Sequence, residues 1–269
     1  MLSEVKKTKR LEHFTSIPQL FFTRADELGD RPFLWAKVNK QWQPISYAGA
    51  AHQVAVLADY LLSLGLQAGD RVALVSENRP EWLIADLAIM AAGCITVPTY
   101  TTNTSRDHQH ILTNSGAKAA IVSTAKLAKN LLPALLYAPD CRHIIGMDDI
   151  ATGQGVATVS VHHWASIMAG HGDGAAARAR AAAAKRSDTA CLIYTSGTGG
   201  APRGVIQHHG MILQNVDACV DIIANDFGLE DEVFLSFLPA SHAFEHTGGQ
   251  MLPIGFGAQI YYAESLETI

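Results

Sequence analysis

The sequence predicts an α/β protein in which mainly parallel sheets are flanked by helices, and three observations predict it. Between Arg71 and Gly146 short apolar runs alternate with segments of helical periodicity, the pattern of successive strand-helix-strand units. Turn-forming residues such as Gly65 and Pro80 fall at the joints of these segments. The 269 residues are 48% hydrophobic and 17% charged, an ordinary globular composition that can bury a core as one large domain or two smaller ones.

The elements follow in order. Phe33 to Val38 and Gln41 to Ser46, separated by Asn39 and Lys40, form a small hairpin whose turn lacks the usual glycine. From Tyr47 to Gly65, Val54, Leu57, Ala58, Leu61 and Leu62 have helical spacing ended by glycine. Arg71 to Ser76 is a short apolar strand, Pro80 to Ala92 a helix opened by proline, and Cys94 to Val97 a strand. A helix over Arg106 to Asn114, a strand over Ala119 to Ser123, a helix over Ala125 to Tyr137 and a strand near His143 to Gly146 continue the alternation. The stretch from Gly170 to Ser187 is an alanine run punctuated by Arg178, Arg180, Lys185 and Arg186, with high helix propensity and almost no large apolar residue to bury. It reads as an exposed linker helix. The expected organisation is a tail over 1–14, a first α/β part over 15–169, the linker over 170–187, and a part over 188–269 that carries the chemistry. No internal repeat is visible.

A formal charge of -5 and a pI near 6.2 give no reason to expect nucleic acid, which requires a clustered basic face. Lys6-Lys7-Thr8-Lys9-Arg10 reads as a solvated tail, its sharper alternative being a weak peripheral contact to anionic lipid. The N-terminus lacks the apolar region of a signal peptide and the uncharged stretches are broken by Gly93, Pro98 and threonines, so a cytoplasmic protein without a membrane span is expected. Cys94, Cys141, Cys191 and Cys219 form no CxxC pair and read as reduced core residues. Oligomeric state leaves no mark in the sequence.

After a short strand over Thr189 to Ile193 comes the segment Tyr194-Thr195-Ser196-Gly197-Thr198-Gly199-Gly200-Ala201-Pro202-Arg203-Gly204-Val205. Its glycines let backbone amides converge on one point, and Thr195, Ser196, Thr198 and Arg203 add hydroxyl and guanidinium donors around it, the composition of a polyphosphate cradle. A helix beginning near His208-His209-Gly210 is expected to add its N-terminal dipole. The segment is not a Walker loop, because Val205 and Ile206 follow Gly204 where Lys and Ser/Thr are needed. Nor is it a dinucleotide fingerprint, since Pro202 stands where the third glycine would fall. On composition alone, a flexible surface loop stays open beside the cradle.

The segment resembles the phosphate-binding motif of adenylate-forming enzymes, the superfamily of acyl-CoA synthetases, luciferases and peptide-synthetase adenylation domains, whose usual form is YTSGTTGxPKGV. The two departures are Gly199 in place of threonine and Arg203 in place of lysine, so ten of twelve positions agree, counting the free one. Leu238-Pro239-Ala240-Ser241-His242-Ala243-Phe244-Glu245 is similar to the next motif, of the LPxxHxxE type, which lines the acyl side of the site. Ser76 to Trp82 and Ala91 to Pro98 resemble the long-chain acyl-CoA synthetase branch.

This resemblance, over roughly residues 15 to 269, implies the incomplete N-terminal AMP-binding domain of such an enzyme. It implies ATP and Mg²⁺ as cofactors, a fatty acid as substrate, and CoA as co-substrate. Thr195, Ser196, Gly197, Thr198, Gly199, Gly200, Arg203 and Gly204 would hold the ATP phosphates. His242 would sit beside the acyl carboxylate or gate the thiol's path, and Glu245 is a weaker catalytic candidate. The family's YGxTE and TGD motifs and its C-terminal catalytic lysine do not occur before Ile269, so the chain reads as a fragment, expected to be inactive alone. Other acyl- or aryl-AMP-forming ligases and a non-enzymatic nucleotide- or acyl-binding fragment remain alternatives. His242-x-x-Glu245-His246 also fits a zinc-peptidase pattern, remotely, because Pro239 and Gly248-Gly249 leave little room for a helix.

Overall fold

In the computed structural model, which describes residues 11–150, 159–172, 174–195, 201–228 and 230–264, the alternating segments build two sheets. The first is opened by helix α1 (Ile17–Leu28) and hairpin β1 (Pro32–Val38) and β2 (Gln41–Ser46), followed by helix α2 (Tyr47–Ser63). Next come β3 (Arg71–Val75), α3 (Pro80–Ala91), β4 (Ile95–Thr99), α4 (Ser105–Ser115), β5 (Ala117–Val122), α5 (Ala125–Leu135), β6 (His143–Gly146) and β7 (Ser160–His163). Helices α6 (Trp164–Met168) and α7 (Ala175–Ala183) lead to β8 (Thr189–Thr195), β9 (Arg203–His208) and α8 (His209–Phe227). The chain closes with β10 (Val233–Ser236), the short helices α9 (Ala243–Glu245) and α10 (Leu252–Phe256), and β11 (Gln259–Tyr262).

The larger sheet has the order β7-β6-β5-β3-β4-β8-β9, parallel throughout except for the antiparallel pair β8 and β9. The smaller has the order β10-β11-β1-β2, with β2 antiparallel to β1. Strands β3 and β5 are buried almost end to end, because helices cover both faces of the parallel part. Helix α3 is buried at every position but Glu81 and touches β3 and β4 of the larger sheet and β1 of the smaller. It is the shared core of the two sheets.

Local chemistry explains the boundaries. Ser16 caps α1 by accepting from the Gln19 amide, and Thr104 and Asp107 form a reciprocal capping box on α4. The hairpin turn without glycine works because Asn39 and Lys40 both adopt positive φ, 51° and 64°, as a two-residue turn that matches strand twist demands.

Four expectations change. The alanine-rich helix is not exposed on all sides: Ala177 and Ala181 are fully buried, Ser16 donates to the Ala181 carbonyl at 2.7 Å, and Arg180 pairs with Asp59 at 2.6 Å. Small side chains let that face approach α1, α2 and α3 closely. Cys94, Cys141 and Cys191 are buried free thiols, but Cys219 is exposed, since it lies off the α8 stripe of Ile212, Leu213, Val216 and Val220. Residues 203–208, expected to lie between loop and helix, form strand β9. The N-terminus of α8 therefore lies at the far end of β9 from the loop, about 17–20 Å away at strand rise, and its dipole does not reach the loop. Lys6 to Arg10 lie outside the described residues; among the described residues no helix is long and apolar enough to cross a membrane.

His108 on α4 and His209 on α8 are almost fully buried, and burial pulls both imidazoles down to about 4 from the usual 6.5. The unfolded chain therefore binds protons that the folded chain refuses between these values. The stability this represents is present above pH 6.5 and is lost as pH falls toward 4, by about 3 kcal/mol at most for each ring. Denaturant titrations between pH 7.5 and 4.5 are expected to show the fall, and a flatter slope in His209→Gln. An unchanged slope in that variant would refute the assignment.

Candidate active site

The segment richest in glycine is the tip of the β8-β9 hairpin. Tyr194 pairs with Gly204 and Thr195 with Arg203, so the two strands deliver Thr195 and Arg203 to the base of the tip, at the C-terminal end of the parallel strands. Ser196, Gly197, Thr198, Gly199 and Gly200 lie outside the described residues. Gly204 serves packing: a Cβ there would come within 3.1 Å of the Tyr194 ring. Arg203 is exposed, its side chain standing in solvent beside the tip.

Helix α4 holds this hairpin. The Tyr194 hydroxyl donates to Asn114 Oδ1 at 2.6 Å, and His110 Nε2 donates to the Pro202 carbonyl at 2.8 Å, since a carbonyl can only accept. The His110 ring also meets Tyr194 edge to face. None of these supports was singled out from the sequence, because α4 and the hairpin are some eighty residues apart and no local pattern links them.

A cleft of about 450 Å³ opens where these pieces meet. Tyr194, Thr195 and Pro202 form one wall, Tyr100, Asn103 and Asp107 another, and His242 and Ala243 a third. The two sequence-predicted segments thus face one space from opposite sides. His242 caps α9, its Nδ1 accepting from the Phe244 amide at 3.2 Å, which leaves the proton of a neutral ring on Nε2. Asp107 is a carboxylate held below its usual range, first by the Thr104 hydroxyl and then by the Thr104 amide.

Glu245 does not line the cleft. It is buried, its Oε1 accepting from Ser236 Oγ at 2.6 Å and Gln250 Nε2 at 3.1 Å. Gln250 in turn donates to Ser236 Oγ and accepts from the Tyr262 hydroxyl at 2.8 Å. Burial raises the Glu245 carboxyl above its normal range, and the Ser236 and Gln250 hydrogen bonds offset part of that rise. The backbone of the following segment, a wide π-type turn over His246–Met251, presses on this carboxylate: a Cβ at Gly249 would come within 2.7 Å of Oε2 and closer still to Oε1.

The zinc-peptidase pattern comes apart here. His242 faces the cleft, Glu245 faces Ser236 and Gln250, and His246 Nε2 lies 3.0 Å from Asp86 Oδ2 in a fully buried pair. Among the described residues no group of three or more His, Cys, Asp or Glu side chains is arranged to hold a metal ion.

A family model described as AMP-binding enzyme matches residues 21–268. The chain is 37% identical over 163 residues to the long-chain-fatty-acid–CoA ligase FadD15 of Mycobacterium tuberculosis, covering 61% of this chain and 26% of that protein. It is 28% identical over 255 residues to the long-chain-fatty-acid–CoA ligase ACSBG2 of Xenopus laevis, covering 93% of this chain and 34% of that one. The chain thus spans about a quarter to a third of the length of these relatives. Among solved structures, the anthranilate CoA ligase AuaEII in complex with anthranoyl-AMP superposes with a TM-score of 0.77 at 18% identity, over 92% of this chain and 45% of that one, a likeness of fold.

Glu245→Gln keeps the acceptor and removes a charge that burial disfavours, so it is expected to leave stability at pH 7.5 unchanged or slightly higher. Gly249→Ala forces a methyl group into the same carboxylate and is expected to cost at least about 2 kcal/mol. Urea denaturation of both variants checks this, and equal losses would contradict the assigned packing.

Proposed function

The chain belongs to the AMP-binding enzyme family, and from that premise we propose that it carries the phosphate-binding and acyl-facing parts of a long-chain fatty-acid–CoA ligase. In this reaction a fatty carboxylate attacks the α-phosphorus of ATP, forming acyl-AMP and releasing pyrophosphate. The CoA thiol then attacks the acyl carbon and AMP leaves.

One observation carries the reading. Thr195 and Pro202, at the two ends of the glycine-rich tip, share a cleft with His242. The tip is the part suited to triphosphate, with Thr195 and Arg203 as the described donors and Ser196, Thr198 and the tip amides as further ones. Developing negative charge on the leaving pyrophosphate is stabilised by donors already in place, which is the principal contribution a protein makes to phosphoryl chemistry. Arginine keeps the family lysine's charge but offers a planar fork, suited to two phosphate oxygens at once. His242, across the cleft, has its Nε2 free to donate to the acyl carboxylate. The described residues offer Mg²⁺ no cage of their own, so the metal would enter on the phosphate oxygens of ATP, whose charge it neutralises. The fatty-acid preference is supported by the relatives' acyl substrates and by the Ser76 to Trp82 resemblance.

Calorimetric titration with ATP and Mg²⁺, and with a non-hydrolysable acyl-sulfamoyl adenosine, tests the reading. Arg203→Ala removes a charge-assisted contact of about 1.5–3 kcal/mol and is expected to weaken ATP binding roughly tenfold or more. His242→Ala is expected to leave ATP affinity within about twofold and to weaken the acyl-adenylate mimic roughly tenfold. Wild-type indifference to both ligands, or tighter binding of a benzoyl than of a palmitoyl mimic, would overturn the proposal or its chain-length class respectively.

A further inference from the structure

The cleft has two walls that belong to different sheets, and something must hold them in register. Thr195 ends β8, which lies next to β4 in the larger sheet. His242 follows β10, at the edge of the smaller sheet. Asn78, in the turn between β3 and α3, spans this gap. Its Nδ2 donates to the Leu238 carbonyl at 2.6 Å and to Ser236 Oγ at 2.9 Å, and its Oδ1 accepts from the Ala240 amide at 2.9 Å. One planar amide thereby binds the carbonyl of Leu238 and the amide of Ala240 as a neighbouring strand would, and uses both N–H groups and its oxygen to do so.

The bonds on either side are short and fixed. The turn that carries Asn78 is anchored by Arg79, which pairs with Glu81 at 2.8 Å and Asp148 at 3.0 Å. Beyond Ala240, the His242 amide donates to the Pro239 carbonyl at 2.8 Å, so only Ser241 separates the clamped residue from the one whose ring faces the cleft. Ser236, the third partner, donates its own hydroxyl hydrogen bond to Glu245, tying the same clamp to the buried Gln250 and Tyr262.

We propose that Asn78 is the positioning residue that sets His242 against Thr195 and Pro202 in the cleft, acting through the Leu238 to Ala240 backbone and touching no reacting atom. This rests on the ligase reading only for its consequence; the clamp itself is a statement about the chain. It also gives the asparagine of Ser76-Glu77-Asn78-Arg79 a chemical reason. Aspartate has the same shape but no N–H, and would turn a carboxylate toward the Leu238 carbonyl and Ser236 Oγ.

The test uses Asn78→Asp, with Ser236→Ala as the milder variant that leaves both backbone bonds in place. Amide hydrogen exchange at residues 240–246 is expected to speed at least tenfold in Asn78→Asp at pH 7.5, while residues 189–195 stay as in the wild type and show that the larger sheet is folded. The effect should shrink as pH falls and the new carboxyl gains an O–H donor, a pH profile that a side chain filling space alone would not produce. Affinity for acyl-sulfamoyl adenosine is expected to fall about tenfold with ATP affinity within about twofold, and Ser236→Ala to lie between wild type and Asn78→Asp. Unchanged exchange at 240–246, or equal losses for both ligands, overturns the positioning role. If the wild type binds neither ligand the ligase reading fails, and the exchange and its pH profile still decide the clamp.

Discussion

A helix whose apolar residues run around its circumference is stable only where almost none of it meets water, and α3, buried at every position but Glu81, is such a helix. Trp82, Leu83, Ile84, Leu87 and Ile89 are all fully buried, so helices and strands have to close over it from every direction. The larger sheet meets it through β3 and β4, the smaller through β1, and α1, α2 and α7 also pack on it. This constraint sets the two sheets at a fixed separation and creates the cleft between their rims. The fully buried Asp86 of α3 adds a polar fastening, since it pairs with His246, which belongs to the wide turn just after the second motif.

Within that frame the site is assembled from rigid edges. Parallel strands end on one rim, and a single antiparallel pair, β8 with β9, brings Thr195 and Arg203 together there. The described ends of the hairpin are held by the Tyr194–Asn114 and His110–Pro202 hydrogen bonds. His242 comes from the segment after the other sheet's edge strand, so its placement relative to Thr195 and Pro202 depends on contacts between sheets.

The Glu245 network shows a different use of polar groups. A carboxyl removed from water is costly unless its oxygens are satisfied, and Ser236 and Gln250 both serve Oε1. Gly249 in the following turn lets the backbone close over it without a side chain in the way. Glu245, the weaker site candidate, sits in a buried junction that joins β10, the wide turn and β11.

Local order determined much of this protein. The strands and helices between Tyr47 and Gly146 follow from apolar spacing and from glycine and proline at the joints, because those signals involve residues within one or two turns of each other. The resemblance carried by the twelve-residue segment from Tyr194 to Val205 was legible in the sequence alone, and the family model matching residues 21–268 agrees with it. Strand β9 was not legible: most of its residues are exposed, so it shows no alternation, and pairing with β8 alone makes it a strand. Nor was the buried face of α7, since alanine spacing says nothing about which neighbours come close enough to cover it. The roles of Asn78, His110, Asn114, Glu245 and His246 were likewise decided by tertiary structure. Their partners, apart from Glu245's, lie some 80 to 160 residues away, and a hydrogen bond across that distance is specified by packing and by nothing in the adjacent sequence.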